Sequence, residues 1–188
     1  MVERILNNGK NLLDLINDIL DLSKIESGRL QLHPEAFDID KLVKTSVDEL
    51  RVLGERKNLT LYTHIQLDNP TVYHDRIRVR QVLVNLLSNA IKFTDTGRID
   101  VSLEEVSGEK LAIAVRDTGI GIEADKLQHI FEPFRQANQT NSRRHQGTGL
   151  GLAITDSLVK MMQGSIDVES EVGKGSEFRI ELPRTLVT

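Results

Sequence analysis

Three residues within one segment have the types and spacing needed to bind a charged ligand. Asn85, Asn89 and Lys92 follow one another at intervals of four and three residues, which places them on one face of a helix predicted over residues 76–93. A solvated helix face normally carries Lys and Glu rather than two amides. Amide oxygens can complete the coordination of Mg²⁺ that already holds phosphates, and a lysine can face a phosphate as a point charge. An amide pair that bridges backbone groups in a half-buried helix explains the spacing equally well.

A carboxylate followed by two glycines forms the second motif. Asp117 comes just after a strand predicted to end at Val115 and is followed by Gly119 and Gly121. Glycines let the backbone approach a ligand closely. A carboxylate only accepts hydrogen bonds, so Asp117 suits the exocyclic amine of adenine and would repel the carbonyl that guanine presents there. The motif therefore predicts a preference for ATP over GTP, although by itself it more often marks a tight turn with a solvated aspartate.

A glycine-rich segment, Gly147-Thr148-Gly149-Leu150-Gly151, opens a helix predicted over residues 150–162. Glycines let backbone N–H groups converge on an anion, and the start of a helix adds partial positive charge. The spacing matches neither the Walker phosphate loop nor the dinucleotide-binding pattern. Taken alone, such a segment is weak evidence for phosphate binding.

The segment between these two motifs is strongly polar. After Phe131-Glu-Pro-Phe134, residues 135–146 contain no large apolar side chain. Such a segment cannot anchor itself by burial, which predicts mobility when no ligand is bound. The functional interpretation is a polar lid from which Arg143 or Arg144 reaches a phosphate, and the alternative is a plain exposed loop.

Apolar periodicity predicts the elements that carry these motifs. Asp38 is a candidate N-cap of a helix that follows it, and the helix over residues 150–162 should end at Gly164 in a left-handed cap. Helices and hairpins alternate without regular βαβ units, which predicts an α+β fold with one mixed sheet covered on one face by helices. Its strands are expected over residues 59–65, 72–73, 99–103, 111–115, 166–168 and 178–182.

The N-terminal segment, residues 2–26, predicts a long helix with two apolar heptad ladders. The ladders consist of Ile5, Leu12 and Ile19, and of Leu6, Leu13 and Leu20. The helix could pack on the core of its own domain or form one arm of a helical bundle. We favour the bundle, because Gly28 and the region around Pro34 separate the helix from the rest of the chain. Half of a hairpin leaves its apolar face uncovered, so we expect self-association or fraying there.

Composition narrows the classes of protein to be considered. The chain has 188 residues, a net charge of −4 and no cysteine, and its five histidines are scattered. The absence of cysteine excludes disulfides, thiolate metal sites and cysteine nucleophiles, and the negative charge argues against nucleic acid as a partner. No apolar run approaches the ~20 residues of a membrane span, so we expect a soluble, cytoplasmic domain.

Taken in order, four segments resemble the N, G1, F and G2 boxes of bacterial sensor histidine kinases. They are Asn85-Leu-Leu-Ser-Asn89-Ala-Ile-Lys92-Phe93, Asp117-Thr-Gly-Ile-Gly121, Phe131-Glu-Pro-Phe134 and Gly147-Thr-Gly-Leu-Gly151. The resemblance implies a Bergerat-type two-layer α/β sandwich, a fold shared with type II topoisomerases, Hsp90 and MutL-like ATPases. It also implies that residues 1–30 are part of the second helix of a dimerisation and phosphoacceptor hairpin, 31–36 a linker, and 37–188 an ATP-binding catalytic domain.

The resemblance assigns roles to individual residues, with ATP and Mg²⁺ as cofactors. Asn89 with help from Asn85 would ligand Mg²⁺, Lys92 would hold a phosphate, and these three form the catalytic set. Asp117 would read adenine, and the segment 147–151 would hinge the lid. The implied nucleotide-binding set is Asn85, Asn89, Lys92, Phe93, Asp117, Gly119, Gly121, Ile122, Phe134, Arg143, Arg144, Gly147, Thr148, Gly149, Leu150 and Gly151.

Two departures from the family pattern sharpen the expected function. Related ATPases that hydrolyse ATP carry a water-activating Glu where this chain has Asn85, and an amide cannot act as general base, which favours transfer over hydrolysis. The family's acceptor histidine is also missing, because His33, His64 and His145 lie outside any matching pattern. Gln146 replaces a second lid glycine that is common in the family.

We therefore expect a histidine kinase catalytic fragment that transfers the γ-phosphoryl group to a histidine in another segment. Its expected partners are the acceptor helix of the same or a partner chain and a response-regulator receiver domain, with a homodimer in the longer protein and no nucleic acid. The membrane anchoring of that longer protein is left open. The alternatives are a conformational ATPase of the same fold and a nucleotide-regulated interaction module.

Overall fold

The structure is a computed structural model that describes residues 2–135 and 148–187. Its helices are α1 (Val2–Glu26), α2 (Ile39–Glu55), α3 (Arg76–Phe93), α4 (Ala124–Leu127) and α5 (Gly151–Met161). Its strands are β1 (Glu35–Asp38), β2 (Leu59–Gln66), β3 (Thr71–His74), β4 (Gly97–Ser107), β5 (Lys110–Asp117), β6 (Ser165–Glu171) and β7 (Gly175–Pro183). None of the helices in these ranges has the length and apolar character that a bilayer crossing requires.

Five strands form one mixed sheet in the order β2-β4-β5-β7-β6. Strands β2 and β4 are parallel, and the other neighbours are antiparallel. Large apolar residues at every second position of the central strands are buried in one core with side chains of α2, α3 and α5. These buried side chains are Ile99, Val101, Leu103, Leu111, Ile113 and Val115. The predicted α+β fold, with helices on a mixed sheet, is confirmed.

Helix α3 lies at the centre of the helical layer and carries the polar residues Asn85, Asn89 and Lys92. Asp75 caps its N-terminus by accepting a hydrogen bond from the backbone N–H of Arg78 at 3.0 Å. The second carboxylate oxygen of Asp75 accepts from the backbone N–H of His33 at 2.9 Å. The segment before β1 is therefore tied to the start of α3.

Helix α1 packs on the sandwich with one face of its C-terminal half. Leu15, Leu22 and Ile25 contact the core, and Asp21 accepts hydrogen bonds from the side chains of Arg78 (3.0 Å) and Gln81 (2.8 Å) on α3. The opposite face exposes a row of large apolar side chains. These are Leu6, Leu12, Leu13, Ile16, Ile19 and Leu20. The uncovered apolar face expected from the heptad ladders is present, although the helix also rests on its own domain.

Three local features differ from the sequence-based expectations. Strand β1 begins at Glu35, within the predicted linker 31–36, and pairs with β3 in a separate two-stranded sheet. The short helix α4 lies in a region expected to be loop. At the end of α5 the left-handed residue is Gln163 (φ 60°) rather than Gly164. Gly164 is required for another reason, because a Cβ there would lie 2.3 Å from the carbonyl oxygen of Glu181.

Candidate functional site

Asp117 ends β5 and is buried in the layer between the sheet and α3, with 6% of its surface exposed. Its Oδ1 accepts a hydrogen bond from the backbone N–H of Gly119 at 2.8 Å. The backbone N–H of Ser176 and the hydroxyl of Thr94, which donates to the carbonyl oxygen of Ala90 at 2.7 Å, lie close to the same carboxylate. Burial raises the pKa of this carboxyl, and these three polar groups oppose the rise. The structure thus holds a buried acceptor whose orientation is set by the backbone N–H of Gly119.

The backbone after Asp117 packs against the end of α3 without space for a side chain. A Cβ at Gly119 would lie 2.4 Å from the carbonyl oxygen of Phe93 and 2.7 Å from Oδ1 of Asp117. The backbone N–H of Ile120 donates to that same Phe93 carbonyl at 3.2 Å. Glycine at 119 is therefore a steric requirement for joining this loop to α3.

The far side of the same loop is held by the hairpin of β6 and β7. The backbone N–H of Ile122 donates to the hydroxyl of Ser170 at 2.8 Å. Gly121 has φ 70°, and a Cβ there would lie 2.1 Å from the carbonyl oxygen of Glu171. Four of the predicted residues, namely Asp117, Gly119, Gly121 and Ile122, thus belong to one loop fixed at both ends.

Asn85 joins α3 to α5. Its Nδ2 donates to the hydroxyl of the buried Thr155 at 2.7 Å, which orients the carboxamide. Its Oδ1 lies beside the first residue of α5, since a Cβ at Gly151 would approach that oxygen to 2.4 Å. Glycine at 151 therefore keeps space in front of the amide oxygen. Asn89 lies half-buried one turn farther along α3.

Lys92 is on the same helix but extends towards a different neighbour. Its Nζ lies 4.7 Å from the centroid of the Phe93 ring, a cation–π contact, and burial lowers its pKa. The side chain lines a shallow cavity of about 290 Å³. The other lining residues are Leu53, Lys57, Ser88 and Ile91. Asn85 and Lys92 share a helix face as predicted, yet their polar ends do not meet at one point in this structure.

The glycine-rich segment leads into α5 through a sharp turn. Gly149 has φ 72°, and its carbonyl accepts from the backbone N–H of Phe134 at 2.9 Å, which connects the residues on either side of 136–147. Phe134 itself has φ 63°, and its ring is largely exposed. Thr148 accepts a hydrogen bond from the N–H of Leu150 at 3.2 Å and donates to Oδ2 of Asp18 on α1 at 3.2 Å.

The start of α5 has no side-chain cap. Leu150, the N-cap residue, is buried and has an apolar side chain that cannot accept a hydrogen bond from the first turn. The first-turn N–H groups next to Gly151 therefore depend on another acceptor, such as a phosphate. The remaining predicted residues, Arg143, Arg144 and Gly147, lie outside the described residues.

The donor set fits a divalent ion that arrives with phosphates. Within residues 2–135 and 148–187, no three His, Asp or Glu side chains are grouped as a protein-only metal cage would require. The amide oxygen of Asn85 is a neutral hard ligand beside the start of α5, and Asn89 carries a second amide one turn farther along α3. The space kept by Gly151 in front of Asn85 Oδ1 is compatible with such a group.

Three residues that bond this site together do not follow from the sequence patterns. Thr94 and Ser176 lie next to Asp117 and lower the pKa of its carboxyl, and Thr155 orients Asn85. Thr94 directly follows the Asn85–Phe93 motif, and this adjacency is the feature of the sequence that could have indicated its role. Ser176 and Thr155 come from distant hairpin and helix positions, and nothing in the local pattern distinguishes them.

Three features together are those of the Bergerat-type ATP-binding domains. They are the layer of helices on a mixed sheet, the buried carboxylate of Asp117 next to Gly119, and the glycine-rich segment at the start of α5. Residues 74–186 match the family model described as histidine kinase-, DNA gyrase B-, and HSP90-like ATPase. The chain belongs to this family.

Comparison with individual proteins narrows the family further. Over 178 residues the chain is 46% identical to sensor histidine kinase RcsC of Escherichia coli (strain K12), covering 94% of this chain and 19% of RcsC. Full-length ShkA in complex with AMPPNP has a TM-score of 0.87 at 30% identity, covering 100% of this chain and 39% of ShkA. ThkA in complex with the response regulator TrrA shares the fold, with a TM-score of 0.76 at 24% identity over 98% of this chain and 50% of that chain.

These similarities identify the ATP-binding catalytic domain of a sensor histidine kinase of two-component signalling. The chain spans about a fifth of the length of the curated relatives it matches.

Proposed function

We propose that this chain binds Mg-ATP with adenine against Asp117 and the phosphates between α3 and the start of α5. It then transfers the γ-phosphoryl group to a histidine of a segment outside the chain. The observation that carries the proposal is the buried carboxylate of Asp117, held as an acceptor beside Gly119, where no side chain fits.

Adenine selection follows from the chemistry of that carboxylate. An ionised carboxylate accepts hydrogen bonds and donates none, so it pairs with the exocyclic amine of adenine and repels the guanine carbonyl. Burial strengthens both effects, because an unpaired polar group in a dry site is costly. The expected result is tighter binding of ATP than of GTP.

The phosphates would be held by groups from two helices. Asn89 with Asn85 would supply amide oxygens to Mg²⁺, which neutralises charge on the phosphates when bound. The N–H groups of the first turn of α5 would bind phosphate oxygens. Lys92 would have to leave the Phe93 ring to reach them.

Transfer is favoured over hydrolysis by the chemistry of Asn85. A carboxamide cannot take a proton from water, and this one already donates its N–H to Thr155. Catalysis would then consist mainly of positioning and charge neutralisation, with the nucleophile supplied by the acceptor segment. Steady phosphate release at ordinary enzyme turnover would instead support a conformational ATPase.

The partners we propose bind outside the nucleotide site. The exposed apolar row of α1 is suited to packing against the other helix of the dimerisation hairpin, which would supply the acceptor histidine and link two copies of the longer protein. A response-regulator receiver domain would take the phosphoryl group next, as the ThkA complex with TrrA suggests for a protein of the same fold. We place this domain in the cytoplasm, where ATP is available.

The first experiment measures nucleobase selection. Calorimetric titration of the chain with non-hydrolysable ATP and GTP analogues in Mg²⁺ should show a preference for adenine. In Asp117→Asn, which keeps the shape but adds an N–H donor, that preference should shrink. An unchanged ratio of the two affinities would contradict the assignment of Asp117.

The second experiment tests transfer. The chain with Mg-ATP alone should not label itself, whereas addition of a separately expressed acceptor hairpin should give acid-labile phosphohistidine on the hairpin. Self-labelling of the chain would contradict the proposed reaction. So would nucleotide binding without any phosphoryl transfer to an acceptor hairpin taken from a related histidine kinase.

A further inference from the structure

Lys57 inserts its ammonium group into the C-terminal end of α3. Its Nζ donates to the carbonyl oxygens of Ile91 at 2.8 Å, Lys92 at 2.9 Å and Thr94 at 3.1 Å. Oδ1 of Asp95 lies 3.9 Å away. An ammonium group has three N–H donors, so these carbonyls use all of them.

The end of α3 depends on this lysine because its own sequence provides no helix cap of the usual kind. The last carbonyls of a helix lack partners within the helix and are often satisfied when a glycine turns left-handed. Here the C-cap residue is Thr94, in an extended conformation (φ −105°, ψ 117°). A positive charge at this end also complements the helix dipole.

A preformed turn delivers Lys57 to this position. Between α2 and β2, the backbone N–H of Lys57 donates to Gly54 and that of Asn58 to Glu55, both at 2.9 Å. Asn58 adopts φ 57°, a left-handed conformation that asparagine tolerates well. Gly54 lets the turn lie against β2, because a Cβ there would be 2.5 Å from Leu61 Cδ1. The lysine is thus supplied by a turn fixed independently of α3.

The carbonyls that Lys57 binds belong to residues next to the adenine end of the site. Thr94, whose carbonyl Lys57 holds, donates its hydroxyl to the carbonyl oxygen of Ala90 at 2.7 Å and lies close enough to Asp117 to lower the pKa of that carboxyl. Phe93, between two of the bound carbonyls, accepts the N–H of Ile120 in the loop after Asp117. A shift of the end of α3 would therefore move both contacts that position the Asp117 loop.

We propose that Lys57 is a positioning residue for adenine recognition. By holding the carbonyls of Lys92 and Thr94, it keeps the end of α3 at a fixed position relative to Asp117 and Gly119. It does not itself touch the nucleotide. The inference rests on the proposed role of Asp117, and the experiment must therefore distinguish the two.

The test compares three variants by titration with ATP and GTP analogues, below the melting temperature of each. Lys57→Met keeps the aliphatic stem but removes the charge and donors, and should weaken ATP binding about tenfold, in the range of a lost charge-assisted hydrogen-bond set. The ratio of ATP affinity to GTP affinity should also fall towards one. General destabilisation would lower both affinities and leave this ratio unchanged. Lys57→Arg, which keeps a positive charge and N–H donors, should bring the ratio of ATP affinity to GTP affinity back towards that of the parent chain. Lys44→Met, which breaks a surface pair with Asp40 on α2, is the matched control and should bind like the parent chain.

The outcomes separate the role of Lys57 from that of Asp117. If Asp117→Asn lowers the ratio of ATP affinity to GTP affinity and Lys57→Met does not, the role of Lys57 is refuted while that of Asp117 stands. If Asp117→Asn itself leaves the ratio unchanged, the adenine assignment fails first. A Lys57→Met chain that loses thermal stability but keeps the parent ratio shows a structural lysine only and overturns the inference. Should Lys57→Met fail to fold, Lys57→Gln, which removes the charge and whose amide is one bond too short to reach all three carbonyls, must show the same decrease in the ATP-to-GTP affinity ratio.

Discussion

The two ends of the proposed nucleotide site, the base end at Asp117 and the phosphate end at the start of α5, are built differently. At the base end, Asp117 is buried and accepts the backbone N–H of Gly119, and a side chain at position 119 would collide with the end of α3. At the phosphate end, the polar groups are engaged elsewhere in the protein. Lys92 lies over Phe93, and Thr148 donates to Asp18 of α1.

This contrast separates selection of the base from binding of the phosphates. The base end needs no rearrangement to recognise a nucleotide, so its contribution to affinity is preorganised. At the phosphate end a nucleotide must replace existing contacts, and the cost of replacing them lowers the apparent affinity. Changes at the base end should therefore have large effects on binding and stability, and changes at the phosphate end small ones.

The largest effect is expected for Gly175→Ala at the base end. A Cβ at this position, with φ 107°, would lie 1.9 Å from the carbonyl oxygen of Asp117. Overpacking against the backbone together with conformational strain should cost about 3 kcal/mol or more and abolish ATP binding. Urea denaturation and nucleotide titration measure the two effects.

The same turn offers a matched control in Gly173→Ala. Gly173 has φ 78°, yet nothing lies within 4 Å of a Cβ there. This variant carries backbone strain of about 1 kcal/mol without a collision, and it should still bind ATP. Equal losses in the two variants would show that strain in the turn, rather than the contact with Asp117, is what matters.

The second prediction concerns the pH dependence of stability through Asp117. Burial raises its pKa in the folded chain, so the folded state binds this proton more tightly than the unfolded state. The stabilising contribution of the protonated group is fully present below the unfolded pKa and is lost as the pH rises through the folded pKa. Asp117→Asn cannot ionise, so its stability relative to the parent should increase as the pH rises from acid to neutral.

Chemical denaturation of both chains from about pH 3 to 8 tests this linkage. The difference in the free energy of unfolding should change in favour of the Asp117→Asn variant over the carboxyl titration range, without nucleotide present. A difference that is constant with pH would mean that the polar groups of Gly119, Ser176 and Thr94 fully offset the burial of the charge.

The third prediction concerns the link between α3 and α5. Thr155→Val removes the hydroxyl that accepts from Asn85 Nδ2 while keeping the volume, and should cost about 1 kcal/mol of stability. Thr155→Ser keeps the hydroxyl and serves as the control. Because the carboxamide of Asn85 loses its fixed orientation, Mg-ATP affinity should fall more than affinity for ATP without Mg²⁺. Equal changes in both affinities would indicate that Asn85 is not oriented towards the metal.

Local patterns in the sequence identify most of the fold and the base end. Periodicity places α3 at Arg76–Phe93, and Asp38 caps α2 as predicted. Strand β1 escapes prediction because its sequence, Glu35-Ala-Phe-Asp38, contains one large apolar residue and no β-branched residue. At the end of α5, the left-handed turn at Gln163 escapes prediction because glycine is the usual residue there and Gly164 is needed for packing instead.

Contacts between distant segments cannot be predicted in the same way. Lys57 is 37 residues from Thr94, and Asp18 is 130 residues from Thr148. Neither pair follows from helical or strand spacing, because each depends on how α2 and α1 pack on the sandwich. The sequence also suggests that Asn85 and Lys92 converge, whereas neighbouring elements direct their polar ends apart.

The smallest effect is expected where α1 meets the phosphate end. Asp18→Asn weakens the bond from Thr148, and Asp21→Asn weakens those from Arg78 and Gln81, so both should increase hydrogen exchange in α1 at a cost below about 1 kcal/mol each. Only Asp18→Asn affects a residue of the glycine-rich segment. If a nucleotide must displace the Thr148 contact, ATP affinity should rise up to about threefold in Asp18→Asn and stay unchanged in Asp21→Asn. An equal rise in both would mean that the position of α1, rather than Thr148, limits binding, and no change in either would mean that the phosphate end is as preorganised as the base end.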